Sequence, residues 1–422
     1  MIVLPASAQP RVSIVIVSAR RPARLLRCLS AIAWEAGDIE IEVIVVLNAA
    51  APELAVVLGE EAQGVRVVAS EVPLGYAGGA NLGAREARGA FVHLLHDDTE
   101  VCPGWLDAML AGLAEHPQAG AAGSLLVADD GSVQTVGHVL WRDGRTQPPW
   151  HGPAPDADAV APTTSYVDYC ASASLLVTRE AWDAVGGYDE RFHPAQYVDA
   201  DLAMALREAG FVVICTARSR VRHGREGSAS ARLRRFLADR NRAQFVAKHA
   251  DALAHQEPFA DDADALERAR RATLRRAAAV LANGRRRPPA VQSSPAGALE
   301  HLLRDLTVKD AFVAHLEKQC NAAEAHTEAA YRGLAELRAA AEEQAAAAAA
   351  HVAAANAALA DLQKYAAALE DRHRDLEARY AELAAEREWL HARSRTLHAI
   401  ENGGWWRLRG TLRRLAGRGK EG

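Results

Sequence analysis

Short apolar runs alternate with helical stretches over the first hundred residues of this chain. Residues 12–18 and 41–47 are β-branched runs of strand length, and residues 23–36 between them follow a helical period. Residues 65–69 and 91–95 repeat the strand pattern. Continuous apolar runs are typical of strands that are buried on both faces. The pattern therefore predicts an α/β fold with a doubly wound, mostly parallel sheet and helices on both faces.

The pattern changes after this α/β domain, which we expect to cover residues 10–257. Residues 258–283 are predicted to form a helical extension, and residues 284–298 carry the Arg, Pro and Ser of a linker. Residues 299–400 contain no proline and have a leucine every seven residues from position 362 to 397, as at coiled-coil d positions. The a positions are mixed, so a coiled coil and a long solvated or back-folded helix both stay open. These a positions are Leu359, Ala366, His373, Tyr380, Arg387 and Ser394.

Composition narrows the class of protein further. The length of 422 residues suggests two to three domains, and half of the residues are apolar, enough for a sizeable core. The formal net charge of −5 gives no general reason to expect nucleic acid as a partner. The five cysteines lack metal or redox spacing, which favours a reducing cytoplasm over a disulfide framework. No signal-like start and no run of 18 apolar residues occur, so the sequence predicts neither export nor a membrane span.

The strand predicted at residues 91–95 leads directly into two adjacent carboxylates, Asp97 and Asp98. Open α/β sheets bind ligands at the carboxyl ends of their strands, so we expect these acids at the ligand-binding edge. Two carboxylates at such an edge suggest a divalent metal that holds phosphates. The alternative is that the pair only caps the helix that begins near Trp105.

Three further features accompany this acidic pair. A Gly-rich loop at residues 74–83 precedes it, a second pair, Asp199 and Asp201, opens a later helix, and a single histidine, His223, follows the next strand. The glycines do not have the G-x-G-x-x-G spacing of a dinucleotide site, and the loop follows the third strand rather than the first. The loop could let the backbone approach a nucleotide, or could be a tight turn packed under the sheet.

On these motifs the chain resembles the family 2 glycosyltransferases with the GT-A fold, especially bacterial enzymes that build rhamnose-rich or other surface polysaccharides. The resemblance implies an inverting, metal-dependent enzyme. It would transfer a hexosyl or deoxyhexosyl unit, such as rhamnosyl, from a nucleotide sugar to a lipid-linked or growing surface polysaccharide. The matching segments are residues 12–17, 74–83, 96–101, 185–192, 199–210 and 240–242.

The resemblance also implies roles for single residues. Asp98 would bind the cation, Mn²⁺ or Mg²⁺, with His223 as a further metal or pyrophosphate ligand; imidazole suits Mn²⁺ better, although a lone histidine is often structural. Asp199 would be the catalytic base that takes the acceptor hydroxyl's proton. Asp201 would cap or brace its helix. The donor-binding residues would be Asn48, Gly78, Gly79, Asn81 and Asp97.

The sequence departs from the family pattern at two positions. Leu47 stands where relatives carry an aspartate that bonds the donor, and Val198 replaces the glutamate before the base. An apolar side chain cannot accept those hydrogen bonds, but the neighbouring Asn48 could substitute. The departures leave open an alternative from another class, in which a degenerate transferase domain serves as a non-catalytic coiled-coil scaffold for polysaccharide-synthesis enzymes.

The last segment, residues 401–422, carries six Lys or Arg against two Glu, together with Trp405 and Trp406. This makeup is typical of an amphipathic helix at an anionic membrane surface, although a partner-binding or disordered basic tail stays open. We therefore expect a cytoplasmic protein that is peripheral to the inner face of the plasma membrane. Its expected partners are the donor, the acceptor and, through the coiled coil, a second copy, but not nucleic acid.

Overall fold

The computed structural model describes residues 1–50, 52–150, 154–224, 230–284, 297, 299–319 and 350–401. Residues Met1–Leu316 form one compact unit, and Glu317–Gly422 form a second. The first unit contains the whole mixed sheet and thus every candidate site residue predicted from the sequence. The finer division into domains stays a prediction.

The first unit contains fourteen strands among its described residues. They are β1 Ile2–Val3, β2 Val12–Ser18, β3 Ile41–Asn48, β4 Ala62–Gln63, β5 Val65–Ser70, β6 Phe91–His96, β7 Thr99–Val101, β8 Ala119–Val127, β9 Val133–Thr135, β10 Val139–Leu140, β11 Thr146–Gln147, β12 Thr164–Val167, β13 Ser174–Thr178 and β14 Val212–His223.

The helices lie between and after these strands. They are α1 Pro22–Glu35, α2 Pro52–Glu61, α3 Gly75–Glu86, α4 Trp105–Glu115, α5 Arg179–Val185, α6 Val198–Glu208, α7 Ala231–Lys248, α8 Ala250–Ala254, α9 Ala263–Asn283, α10 over residues 299–319 and α11 Ala350–Glu401. Two short 3-10 helices cover Ala157–Ala159 and Glu190–Phe192.

The main sheet has the strand order β12-β14-β8-β13-β6-β2-β3-β5. β6, β2, β3 and β5 are parallel, and β8 and β14 are parallel to each other. β13 lies antiparallel between β6 and β8, so β8 and β14 run in the direction of β6. The predicted α/β class with a mostly parallel sheet is confirmed. The reversal of β13 inside the sheet and of β12 at its edge was not foreseen.

Helices cover both faces of the sheet, which is why its strands are apolar without alternation. On β2, Ile14 and Ile16 pack with one core cluster that includes α1, whereas Val15 packs with a second cluster that includes α3. The α3 helix lies unusually close to the sheet: a Cβ on Gly83 would lie 2.4 Å from a methyl carbon of Val15. This close approach requires glycine at that position.

Two later helices complete the first unit. The α9 helix is attached through Asp168, a fully buried carboxylate that accepts hydrogen bonds from Thr273 and Arg276 of α9 and from Arg207 of α6. The α10 helix is attached through Arg304, which donates to Glu190 at 2.9 Å. The compact unit therefore reaches residue 316 and includes the first residues of the region predicted as coiled coil.

In the second unit, α11 is a helix of 52 residues. Its predicted coiled-coil pairing stays a prediction. No helix in the described part of the chain is both long and apolar enough to span a membrane. The predicted tail lies outside the described residues apart from its first position, Glu401.

Candidate active site

The end of β6 and the end of β14 meet at the carboxyl edge of the sheet. After His96 the chain turns, and Thr99 closes the turn by donating from Oγ1 to the His96 carbonyl oxygen at 2.7 Å. β7 then pairs antiparallel with β14, which sets His223 opposite Thr99. The Gly224 N–H also donates to the Asp98 carbonyl oxygen at 3.0 Å. Backbone pairing thus brings Asp98 and His223 together over a long sequence separation.

A third side chain, His96, joins the two predicted metal ligands. One ligand atom from each of His96, Asp98 and His223 lies within 4.8 Å of the others. Asp98 Oδ1 is 3.4 Å from His223 Nε2 and 3.8 Å from His96 Nδ1. Sequence reasoning missed His96, although its place as the last residue of an apolar strand, two before Asp98, was the available signal.

The tautomer of His223 makes this cluster suited to a cation. Gln134 Nε2 donates to the backbone carbonyl oxygen of His223 at 2.5 Å, which orients the amide, and Gln134 Oε1 then faces His223 Nδ1 at 2.9 Å. Nδ1 must therefore carry a hydrogen, and in the neutral ring Nε2 presents a lone pair to the Asp98 carboxylate. Two facing lone-pair groups require a proton or a metal ion between them. The donor set therefore fits a divalent cation.

The two acids of the turn have different electrostatic surroundings. Burial would raise the pKa of Asp98, but the His223 and His96 rings in their protonated forms, together with Arg24, outweigh it and lower the pKa to about 2. Burial raises the pKa of Asp97 to about 6, even though Ser18 donates to its Oδ2 at 2.6 Å. Burial also lowers the pKa of His96 to about 4, so its ring is neutral at pH 7. A neutral imidazole beside an ionised carboxylate is the state that binds a metal.

A polar cleft of about 320 Å³ opens beside Asp98. Three arginines, Arg24, Arg27 and Arg222, line it together with the acids Asp98, Glu100 and Asp129. Guanidinium groups are well suited to bind phosphate oxygens. The cleft therefore places guanidinium groups that can bind a diphosphate beside a metal-competent cluster.

The Gly-rich segment forms the first turns of α3, and its predicted donor-binding residues make internal contacts. Asn48 accepts from the Leu74 N–H at 2.7 Å and donates to the Gly75 carbonyl oxygen at 2.9 Å. Asn81 is buried and bonds the backbone N–H and carbonyl oxygen of Tyr188. These contacts brace the segment without a ligand, so a role in donor binding stays a prediction.

The two glycines proposed for donor binding also have close protein neighbours. A Cβ on Gly79 would lie 2.7 Å from Val17, and one on Gly78 would lie 3.1 Å from His301 of α10. The packing alternative for the Gly-rich loop accounts for both positions. Whether either glycine also contacts a donor is untested.

Tyr76 of α3 connects the cluster to the predicted base. Its ring meets His96 edge-on with centroids 4.9 Å apart, and its hydroxyl donates to the Ser172 carbonyl oxygen at 3.2 Å. The backbone N–H of Ser172 in turn hydrogen-bonds to the carboxylate of Asp199. The two predicted acidic sites therefore lie on either side of one tyrosine.

Asp199 is the second residue of α6. Its Oδ1 accepts from the Ala200 N–H at 3.0 Å, and burial raises its pKa to about 6 despite this bond and the one from Ser172. The preceding Val198 is buried in the core cluster on the α3 side of the sheet. Tyr197, before it, has a positive φ of 67° and donates from its hydroxyl to the Gly144 carbonyl oxygen at 2.8 Å. A carboxylate with this pKa can accept a proton near neutral pH.

Asp201 lies in a separate network that joins α6 to the end of α7. It is buried and contacts Lys248 Nζ at 2.6 Å and His249 Nε2 at 2.7 Å. Although burial opposes it, hydrogen bonds to Asp201 and Glu208 raise the pKa of His249. Asp201 therefore braces the helix that carries Asp199, and it makes these contacts without a ligand.

Residues 13–170 match the model of the family described as Glycosyl transferase family 2. The match ends before Asp199 and His223.

Curated relatives are similar over part of this chain. The O-antigen biosynthesis protein RfbC of Myxococcus xanthus is 29% identical over 234 residues, which are 54% of this chain and 18% of that protein. An N-acetylglucosaminyl-diphospho-decaprenol L-rhamnosyltransferase of Mycobacterium tuberculosis is 27% identical over 168 residues, or 37% and 54% of the two chains. This chain thus spans about half or less of the length of these relatives.

Among solved structures, the mannosyltransferase PcManGT from Pyrobaculum calidifontis in complex with GDP-Man and Mn²⁺ is similar over 75% of this chain and 86% of that one. The identity is 18% and the TM-score is 0.41. A likeness at this level carries no argument about function.

Proposed function

We propose that this chain is an inverting, metal-dependent glycosyltransferase that transfers a hexosyl or deoxyhexosyl unit from a nucleotide sugar to a lipid-linked or growing surface polysaccharide. The observation that carries the proposal is the His96, Asp98 and His223 cluster beside a cleft lined by arginines. Asp199 lies across Tyr76 from that cluster, and its raised pKa supports a role as the base. The name of the Mycobacterium tuberculosis relative, an L-rhamnosyltransferase acting on a diphospho-decaprenol, supports a rhamnosyl donor and a lipid-linked acceptor. The name of the Myxococcus xanthus relative, an O-antigen biosynthesis protein, supports a surface polysaccharide as the product.

The cluster would hold Mn²⁺ or Mg²⁺, and two imidazoles with one carboxylate favour Mn²⁺. A bound cation would supply Lewis-acid stabilisation of the charge that develops on the departing nucleoside diphosphate. Arg24, Arg27 and Arg222 would bind the phosphate oxygens at the same cleft. Asp97, fixed by Ser18, would bind the donor ribose or assist the cation. Asn48, Gly78, Gly79 and Asn81 would shape the nucleotide side.

Asp199 would accept the proton of the acceptor hydroxyl as that oxygen attacks the anomeric carbon. Attack from the side opposite the leaving diphosphate inverts the anomeric configuration in one displacement. The raised pKa of Asp199 makes it a stronger base than an exposed aspartate, and hydrogen bonds from the Ala200 and Ser172 N–H groups hold it in place. Asp201 would support this arrangement through its bonds to Lys248 and His249.

An open groove near Tyr197 is the proposed binding site for the acceptor glycan. It measures about 570 Å³ and is lined by Arg145, Thr146, Tyr197, Arg242 and Phe259, among others. Aromatic rings beside hydrogen-bonding side chains are suited to a sugar, which has both apolar and hydroxyl-bearing faces. Tyr197 stands two residues before Asp199, so an acceptor in this groove would extend toward the base.

The remaining parts of the proposal concern location and partners. The basic segment at residues 401–422 would keep an otherwise cytoplasmic protein at the inner face of the plasma membrane. The helical region before it would mediate self-association. No nucleic acid is expected as a partner.

Donor binding tests the metal site directly. Purified chain is screened by thermal shift against nucleotide sugars with and without Mn²⁺ or Mg²⁺, and sugar transfer is then measured with the donor that binds. Asp98→Asn should lose metal-dependent donor binding, because an amide lacks the charge that holds the cation. Asp129→Asn changes another acid of the same cleft outside the cluster, and should keep it.

Near-normal turnover of Asp98→Asn in saturating metal would refute the metal assignment. A folded wild-type chain that binds no nucleotide sugar with any divalent metal would favour the scaffold alternative. In that alternative the buried Leu47 and Val198 would mark a domain that has lost its chemistry.

A further inference from the structure

The α11 helix exposes an apolar stripe with a seven-residue repeat. Leu362, Leu369 and Leu376 are 67%, 52% and 57% exposed, and the sequence continues the repeat at positions 383, 390 and 397. A strict spacing of 3.5 residues per turn keeps one seam facing a partner helix that supercoils around the first. Most helical stability in proteins comes from packing of an apolar face rather than from intrinsic helix propensity. An exposed stripe with this repeat is therefore typical of a helix that packs against a partner.

We propose that the partner is a second copy of this chain, bound as a parallel, in-register two-stranded coiled coil over residues 359–397. The stripe sits at the d positions, so Arg372 occupies a g position and Glu377 the following e position. In a parallel pair, each g residue faces the e residue five positions later on the other helix. Arg372 of each copy then faces Glu377 of the other, and the attraction occurs twice by symmetry.

The same charges oppose an antiparallel pair. In that arrangement e positions face e positions and g positions face g positions. In the antiparallel register that centres the described part of the seam, Glu370 would face Glu377 of the other copy and Arg372 would face Arg379, all of which are exposed on α11. Like charges in these positions disfavour pairing. The charge pattern therefore selects the parallel orientation.

One a position carries a charge in this arrangement. Arg387 would face Arg387 of the second helix, and this repulsion is offset because Glu386, at the adjacent g position, lies beside Arg387 of the second helix. Polar a positions weaken a seam but fix its register. The pairing does not rest on the proposed transferase activity, and the two can fail separately.

Charge exchange in the full-length chain tests the pairing. Sedimentation equilibrium should give a dimer for the wild type. Glu377→Arg should raise the dissociation constant about tenfold, since it replaces two attractions by two repulsions. Adding Arg372→Glu should restore the wild-type value. Glu388→Arg makes the same change at an outward b position and should have no effect.

Cysteine cross-linking tests the orientation. Leu369→Cys places a thiol on the seam, where two copies meet only if the helices are parallel and in register. Treatment with diamide, which takes up the two protons and two electrons of disulfide formation, should give a covalent dimer above the wild-type background. Ala367→Cys, at an outward b position, should not. A monomeric full-length chain, or a dimer insensitive to both the charge exchange and the Leu369→Cys cross-link, would overturn the proposal.

Discussion

Asp98 and Asp199 show how one sheet edge gives two carboxylates opposite properties. The hydrogen bond and charges of its histidine neighbours keep the pKa of Asp98 at about 2, despite burial. Asp199 lacks a cationic partner among the causes of its shift, and burial raises its pKa to about 6. The first stays ionised as a cation ligand must, and the second can take up a proton near neutral pH.

The substitution Asp199→Asn tests the proposed catalytic base. Transfer should fall by about 10² to 10⁴-fold, because general base catalysis is typically worth that much, while donor and metal binding persist. In the wild type the rate should rise with pH through about 6 as Asp199 loses its proton, and the residual rate of the variant should lack that limb. A collapse of donor affinity in the variant would instead make Asp199 a binding residue.

The same substitution gives a stability readout. The folded-state pKa of Asp199 lies above its ordinary value of 3.8, so this carboxyl contributes stability below about pH 4 that is lost as pH rises through 6. Asp199→Asn removes the buried charge and should raise the free energy of unfolding at pH 8 by about 1–2 kcal/mol relative to the wild type. Denaturation at pH 4 should show little of this difference, which separates the charge effect from general repacking.

Gln134, which sequence reasoning did not single out, is predicted to orient the His223 ring for metal binding. Gln134→Leu removes the acceptor that fixes the His223 tautomer and should weaken Mn²⁺ binding by about 10 to 100-fold. Calorimetric titration with Mn²⁺ measures this directly. Asp130→Leu, at an exposed loop position, is the control. Unchanged Mn²⁺ affinity in Gln134→Leu would show that the amide does not orient a ligand.

Local spacing allowed some of these residues to be predicted and concealed others. Asp97 and Asp98 end an apolar strand, and that pattern alone places them at a sheet edge. His96 was missed because a histidine at the end of a strand looks like any strand residue until β14 brings His223 beside it. Gln134 reaches the site from β9, whose pairing with β8 is not encoded in its own three residues.

At the scale of elements, the α10 helix completes the surroundings of the site. Glu190 is largely buried and accepts from Asn81, while its ion-pair partner Arg304 and the neighbouring His301 ring both come from α10. On the same helix, Asp305 contacts His193 at 3.3 Å. The linker predicted at residues 284–298 therefore precedes an element that belongs with the first unit. Sequence reasoning did not separate α10 from α11, because both lie in one long region without proline.

This packing predicts a difference between two truncations. A chain that ends at residue 284 should be less stable than one that ends at residue 319, because it loses the ion pair between Arg304 and Glu190 and the packing of α10 on the first unit. The cost should be about 1–3 kcal/mol. Urea denaturation of both chains, with Arg304→Ala in the longer one, measures it; Lys309→Ala on the exposed side of α10 is the control. Equal stability of both truncated chains would mean that α10 contributes no packing.

For the whole molecule, the chemistry and the means of reaching a lipid-linked acceptor fall in different parts of the chain. Every proposed catalytic residue lies within residues 1–316, whereas the basic segment with Trp405 and Trp406 is at the other end of the sequence. Location and turnover should therefore be separable by deletion. For a membrane-bound acceptor, this segment would raise the local concentration of enzyme at the membrane and would leave the rate constant of sugar transfer unchanged.

Deletion of residues 401–422 tests whether this segment binds the chain to a membrane surface. Each basic residue near an anionic bilayer contributes about 1 kcal/mol, and tryptophans favour the headgroup level, so six Lys or Arg with two Trp could localise the chain. The deletion should abolish co-sedimentation with anionic vesicles and slow transfer to a lipid-linked acceptor, while transfer to a soluble acceptor analogue stays unchanged. Raised salt should weaken vesicle binding of the intact chain, since screening reduces the attraction. If the intact chain ignores anionic vesicles at low salt, the segment binds protein instead, and the peripheral membrane location is wrong.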